Sequence, residues 1–320
     1  MKRIRAIIVY SSFLFLAMGA AFLLWAINVS RPICLEDRYP EKQASAQTVT
    51  KPQTNLNILT WNVQMLPAMF GTWIAKLDKM QHLRAAWIAD YLKQQEYDVV
   101  CLQEAFDPKC VKQLVDGLAE AYPYVVLPRY GGYRWQQSNG VLFLSRVPIK
   151  HIAHIVFPRG AGIERFAAKG CTLVEGVKDG LAFQIAGTHF QTGKDRFREA
   201  DSKVAAQDIL KKYQRSKVPQ FFVGDFNIKK GTPLYARLLQ DSGMKDFPID
   251  DPRPYTSDSK NSWKQGKKKL AHIDHILLNP EGTETTITVQ HIQRAKRDYN
   301  GKTIDLSDHY GVIAESLLKN

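Results

Sequence analysis

Asp308 and His309 stand side by side in KTIDLSDHYGVIAESLL, residues 302–318, directly before the apolar run Gly311-Val312-Ile313-Ala314. A carboxylate and an imidazole at the mouth of a strand are groups that hold cations and move protons. The pattern recurs along the chain. ILTWNV ends in Asn62, VVCLQE in Glu104, IAGTH in His189 and FFVGDFN in Asp225 and Asn227, and HIDHILL opens around Asp274. A single Asn or Asp at a strand end is ordinarily a turn or capping residue. That reading weakens when the same chemistry returns at strand after strand. Glu104 and Asp225 resist it most, because a turn needs no acid directly after a fully apolar strand.

The residue types narrow the chemistry. The carboxylates of Glu104, Asp225 and Asp308 and the amides of Asn62 and Asn227, with no thiolate among them, form a hard-oxygen set. Such a set suits Mg2+, with Mn2+ or Co2+ as alternatives, whereas zinc prefers more His or Cys. His189 and His309 remain for proton transfer and charge stabilisation. A metal, a base and anion-binding groups together point to hydrolysis of a phosphate ester.

These groups need rigid elements to aim them. Apolar runs predict strands at 57–63, 98–104, 124–128, 140–145, 172–177, 182–190, 220–227, 272–279 and 310–316. Recurrence at three and four residues predicts helices over 79–95, 109–121, 195–213 and 232–242. Many strands and few helices predict one α/β domain of mixed sheets covered by helices, over residues 55–320. The 320-residue chain, 45% hydrophobic, has material for one large core. It shows no internal repeat and no low-complexity segment.

Residues 29–54 are polar, contain three prolines and read as a tether. Before them, the basic start MKRIR leads into residues 6–28, which carry no charge. That run is long enough to cross a bilayer of roughly 30 Å. The best small-residue cleavage site, Ala44-Ser45-Ala46, lies far beyond it. The expectation is an uncleaved signal anchor in segment 1–28, the N-terminus cytoplasmic and the catalytic domain periplasmic or at the cell surface; cleavage would make the protein secreted. The chain's net charge is +13, of which about +10 lies beyond residue 46. Such a surplus points to an anionic partner: nucleic acid, acidic headgroups or a phosphorylated substrate. Cys34, Cys101, Cys110 and Cys171 show no CxxC pair and no metal-ligand spacing, and Cys101 reads as core.

At this point LTWNVQML, DVVCLQEAF, SNGVLFLSRVPI, GTHFQT, VGDFNI, HIDHILL and LSDHYGV together resemble, in order and spacing, the endonuclease/exonuclease/phosphatase superfamily. The resemblance covers about residues 55–318. It implies the deoxyribonuclease I-like fold, a four-layer α/β/β/α sandwich of two mixed sheets flanked by helices. It further implies Glu104 as principal metal ligand with Asn62 beside it, and Asp308 near the metal. Asp225 and Asn227 become the pair that positions the attacking water and the phosphate or a second metal. His309 becomes the general base and Asp274 the carboxylate that orients it. His189 becomes the group that stabilises phosphoryl charge or protonates the leaving oxygen.

LNILTWNVQMLP, GTHFQT and RFAAKGC (165–171) are similar to the neutral sphingomyelinase branch, in which Lys169 would approach the substrate phosphate. The implied reaction is cleavage of sphingomyelin by water to ceramide and phosphocholine at a membrane surface, with no obligate protein partner evident. Aromatic PRYGGYRW (128–135) and basic KQGKKK (264–269) are candidate headgroup-facing stretches. One departure stands out. Secreted bacterial members carry an exposed aromatic hairpin between the Asp274 strand and the final SDH, whereas residues 280–306 here hold only Tyr299 as an aromatic. A nuclease, aided by the positive charge, or a phosphatase acting on phosphoinositides or inositol phosphates are the competing readings on the same fold.

Overall fold

The computed structural model describes residues 14, 16–21, 24, 35–39, 51–67, 80–132, 136–158, 160, 162–264 and 270–319. The strands are β1 (Gln53–Met65), β2 (Val99–Ala105), β3 (Tyr124–Val126), β4 (Leu142–Ser145), β5 (Ile149–Val156), β6 (Gly170–Lys178) and β7 (Leu181–His189). They continue with β8 (Gln220–Asp225), β9 (Asp274–Asn279), β10 (Thr286–Gln293), β11 (Lys296–Tyr299), β12 (Lys302–Asp305) and β13 (Gly311–Lys319). The helices are α1 (Gln81–Lys93), α2 (Pro108–Gly117), α3 (Asp195–Ala205), which runs on as a π-turn over Ala206–Lys211, and α4 (Pro233–Ser242). Local chemistry marks the starts of α2 and α4. Each begins with a proline behind a capping side chain, Asp107 accepting from the backbone N–H groups of Lys109 and Cys110, and Thr232 from that of Tyr235.

One sheet runs β10-β13-β1-β2-β4-β3 and the other β5-β6-β7-β8-β9, each mixing parallel and antiparallel pairs. Three apolar layers hold the stack together. Val100 and Leu102 of β2 pack with Ala85, Ile88 and Leu114 of α1 and α2. Val99 and Cys101 face the opposite way, against Phe183, Ile185, Phe221 and Val223 of the second sheet. The outer face of that sheet, Phe222 and Leu277, packs on Ala205, Ile209 and Leu238. Helix, sheet, sheet, helix is the layer order, and the period of two along each strand is what divides its residues between neighbouring cores.

The four predicted helices and nine predicted strands all have counterparts. Strands β5 and β10 escape prediction because each lies at a sheet edge and is only part-buried, so neither carries an apolar run. The β11–β12 ribbon turns through Asn300-Gly301, both at positive φ, the two-residue turn that matches strand twist. Its one aromatic is not free: Tyr299 lies against Trp87, ring centroids 5.1 Å apart, and the Arg297 guanidinium sits over the same Trp87 ring.

The expected single-pass anchor is not upheld. Among the described residues no helix is long and apolar enough to cross a membrane. Residues 14, 16–21 and 24 of that segment are helical. The rest of segment 6–28, apart from residues 14 and 24, lies outside the described residues, and the assignment of the catalytic domain to the far side of a membrane falls with the anchor. Arg38, within the expected tether, pairs with Val125 of β3 by backbone hydrogen bonds in both directions.

Candidate functional site

The inward rows of both sheets turn polar at one end of the core between them. On β7 the row Phe183, Ile185 continues through Gly187 to His189; on β8 Phe221, Val223 leads to Asp225; on β9 Leu278, Ile276 leads back to Asp274. Strand register sets His189 beside Asp225 and Asp225 beside Asp274. In the facing sheet β1 carries the row Leu56, Ile58 through Thr60 to Asn62. Glu104 breaks the alternation of β2, its backbone being left-handed at φ 56, and a non-glycine residue in that region is characteristic of sites whose surroundings hold it there. Close approach of β7 and β8 depends on Gly224, at φ 143, where a Cβ would sit 2.0 Å from the Thr188 carbonyl oxygen.

These side chains touch one another. Asn62 Nδ2 donates to Glu104 Oε1 and to Asp225 Oδ2, both at 3.0 Å. Its Oδ1 accepts from the Gln64 backbone N–H at 3.0 Å, so the amide bridges the two carboxylates through its nitrogen. Asp274 Oδ2 lies 2.9 Å from His309 Nδ1, and Asp225 Oδ2 lies 3.8 Å from the same nitrogen. The loop carrying His309 is pinned to β1: Trp61 Nε1 donates to the His309 carbonyl at 2.9 Å and Ser307 Oγ to the Asn62 carbonyl at 2.7 Å. Asn227, at φ 51, donates its backbone N–H to Asp225 Oδ1 at 2.8 Å and Nδ2 to the Phe190 carbonyl at 3.1 Å. Lys169 Nζ lies 3.1 Å from His189 Nε2 and 2.7 Å from Glu164 Oε1. His189 Nε2 is in turn 3.8 Å from both Glu104 and Asp225. Asp308 Oδ2 lies 3.3 Å from Lys264 Nζ.

The charges strain against burial. Burial and then the Asp308 carboxylate push Glu104 up, and burial and then Asp274 push Asp225 up. Burial alone would lower His309, but the Asp274 and Asp308 carboxylates outweigh it and raise the imidazole to about 9. Burial, Lys169 and His309 together hold His189 well below its ordinary value. Asp308 is lowered because His309 and Lys264 outweigh its burial. Raised carboxyls surrounding an imidazole are an electrostatic deficit that a divalent cation would fill.

All the sequence-predicted site residues therefore meet in one region. Glu164 is a contributor that sequence reasoning did not single out: besides Lys169 it accepts from the Thr192 backbone N–H at 2.9 and 3.0 Å. It sits in a 3-10 turn over Gly162–Phe166, with no apolar strand to flag it. Lys264 likewise pairs with Asp308, and residues 265–269 and 133–135 lie outside the described residues. A cavity of about 300 Å³ opens beside Glu104, Lys169 and His189, with Leu66, Phe106 and Phe166 in its apolar wall. Cys101 and Cys171 are buried in the core as free thiols.

Residues 59–309 match the sequence profile of the Endonuclease/Exonuclease/phosphatase family. A phospholipase C of Staphylococcus aureus is 27% identical over 301 residues, covering 83% of this chain and 88% of its own length. A sphingomyelinase C 2 of Leptospira interrogans serogroup Icterohaemorrhagiae serovar Lai (strain 56601) is 26% identical over 313 residues, covering 86% of this chain and 49% of its own length. Among solved structures, a variant of Staphylococcus aureus beta toxin with bound magnesium ions superposes with a TM-score of 0.69 at 22% identity, covering 82% of this chain and 99% of that one.

Proposed function

The chain belongs to the endonuclease/exonuclease/phosphatase family, and on that premise we propose that it is a magnesium-dependent phosphodiesterase of the sphingomyelinase type, cleaving sphingomyelin with water to ceramide and phosphocholine. The observation that carries this reading is the buried His309–Asp274 pair at 2.9 Å, set beside the carboxylates of Asp225, Glu104 and Asp308. An imidazole oriented by an acid is the means by which hydrolases activate a nucleophile.

The donor set fits magnesium, with manganese or cobalt as substitutes: Glu104, Asp225 and Asp308 would supply carboxylates and Asn227 an amide oxygen, while Asn62 holds the Glu104 and Asp225 carboxylates in place through its nitrogen. When bound, the ion offsets charge on the phosphoryl oxygens and disfavours the protonated form of His309. His309 takes the proton of the attacking water at Nε2 while Asp274 holds Nδ1–H and the ring orientation. Asp225 and Asn227 position that water and the phosphate. Lys169 and His189 hold the phosphoryl oxygens, with His189 neutral. The water oxygen bonds to phosphorus, the bond from phosphorus to the ceramide oxygen breaks, and that oxygen takes a proton from solvent, balancing the one that His309 afterwards releases. The apolar wall of Leu66, Phe106 and Phe166 beside these groups suits a lipid substrate better than a polynucleotide.

The test is a panel of vesicles of sphingomyelin, phosphatidylcholine or phosphoinositide, together with plasmid DNA, given to the full chain with Mg2+. Phosphocholine release from sphingomyelin, stopped by EDTA, is expected. Nicking of the plasmid with no phosphocholine release would overturn the assignment in favour of a nuclease.

A further inference from the structure

A second cluster of ligating side chains lies in the helix layer, and none of its members serves the reaction above. His82 in the first turn of α1, Asp107 at the cap of α2 and Cys110 in the first turn of α2 bring an imidazole nitrogen, a carboxylate oxygen and a sulfur within 4.8 Å of one another. His82 Nδ1 lies 3.5 Å from Cys110 Sγ. A zinc ion with bonds of about 2.3 Å to sulfur and about 2.0 Å to nitrogen, at a tetrahedral angle, holds those two atoms about 3.5 Å apart.

A thiol–imidazole hydrogen bond spans the same distance, so the surroundings have to decide. Gln81, only 1% exposed, donates Nε2 to Asp107 Oδ2 at 3.0 Å. Its Oε1, on the same amide, is buried without a hydrogen-bond partner among the described residues. A buried acceptor left without a donor costs on the order of 1–3 kcal/mol, and a water bound to a metal beside Asp107 would be such a donor. Cys110 sits in the first turn of α2, where the helix N-terminus favours negative charge. Asp107 is already oriented by the cap, its Oδ1 accepting from the N–H groups of Lys109 and Cys110. His82 is exposed and leaves an entry path from solvent.

We propose that His82, Asp107 and Cys110 bind one soft divalent cation of the zinc class, with water completing the tetrahedron. On binding, the Cys110 thiol releases its proton to solvent and ligates as thiolate, with no change of oxidation state. The ion clamps the first turn of α1 to the start of α2. Asp107 also donates its backbone N–H to the Met65 carbonyl at 2.9 Å, so the clamp bears on the ends of the strands that carry Asn62 and Glu104.

The full chain, stripped with EDTA and then saturated with Mg2+, is titrated with Co2+ and followed by near-ultraviolet absorption. A thiolate-to-cobalt charge-transfer band is expected, saturating at one equivalent and bleached by Zn2+. Cys110→Ser removes the band. His82→Ala, at an exposed position where folding is spared, weakens cobalt binding at least about tenfold. No thiolate band in the unaltered protein, or a band of unchanged affinity in His82→Ala, would overturn the proposal. The readout is independent of hydrolysis, so it stands or falls apart from the phosphodiesterase reading.

Discussion

The His309 imidazole sits where three requirements conflict: it is buried, it faces acids, and a base must be neutral to accept a proton. Asp274 resolves the first two by favouring the imidazolium. In metal-free protein, Asp274→Asn is therefore expected to lower the His309 pKa from about 9 towards its ordinary value, read by NMR titration of the ring protons. An unchanged titration would show that Asp274 does not govern the ring. His309→Ala should cut turnover by roughly 10²–10⁴, the range supplied by general base catalysis, while circular dichroism stays native. Substantial residual turnover would remove His309 from the role of base. These residues were legible in the sequence because an acid or imidazole closing an apolar strand has no local purpose. The amide of Asn62 was legible only as a site residue. That it turns its nitrogen to both carboxylates follows from the Gln64 N–H claiming its oxygen, a contact that no sequence pattern announces.

At the scale of elements, the site is the polar end of the core between the sheets, and strand register is what assembles it. Gly224 is the weak point of that register. In Gly224→Ala the new Cβ meets the Thr188 carbonyl at 2.0 Å and forces apart the pair that sets His189 beside Asp225. A loss of about 3 kcal/mol or more in urea unfolding, together with most of the activity, is expected. A stable and active variant would mean that β7 and β8 can separate without moving the site. The inner strands and the four helices were legible from their apolar periodicity. The edge strands β5 and β10 were not, because a strand with one wet face and one wet edge carries too few apolar residues to stand out. The β11–β12 ribbon carries a sequence turn signal in Asn300-Gly301, but the docking of Tyr299 on Trp87 is tertiary and had no local mark.

For the molecule as a whole, sandwich architecture and hydrolytic chemistry were readable from seven ordered motifs, whereas the membrane anchor inferred from an uncharged run did not survive. Global stability carries its own signature. Burial keeps His272 and His275 neutral, His275 well below its ordinary value, between the rings of Phe226 and Tyr235. The unfolded chain binds protons at these positions below about pH 6.5 while the folded chain does not, so their contribution to stability is full above that pH and falls as pH drops below it. His309, Asp225 and Glu104, all pushed up, work in the opposite direction, so the test is a difference: between pH 7.5 and pH 5.5 the urea midpoint of His275→Gln should shift less unfavourably than that of the unaltered protein, and the same shift in both would contradict the buried neutral pair. The central claim, attack of water on the phosphorus of sphingomyelin, is tested most directly by hydrolysis in ¹⁸O-labelled water with Mg2+. One labelled oxygen in each phosphocholine and none in ceramide is the predicted result. Label in the ceramide, or no phosphocholine at all, would contradict it.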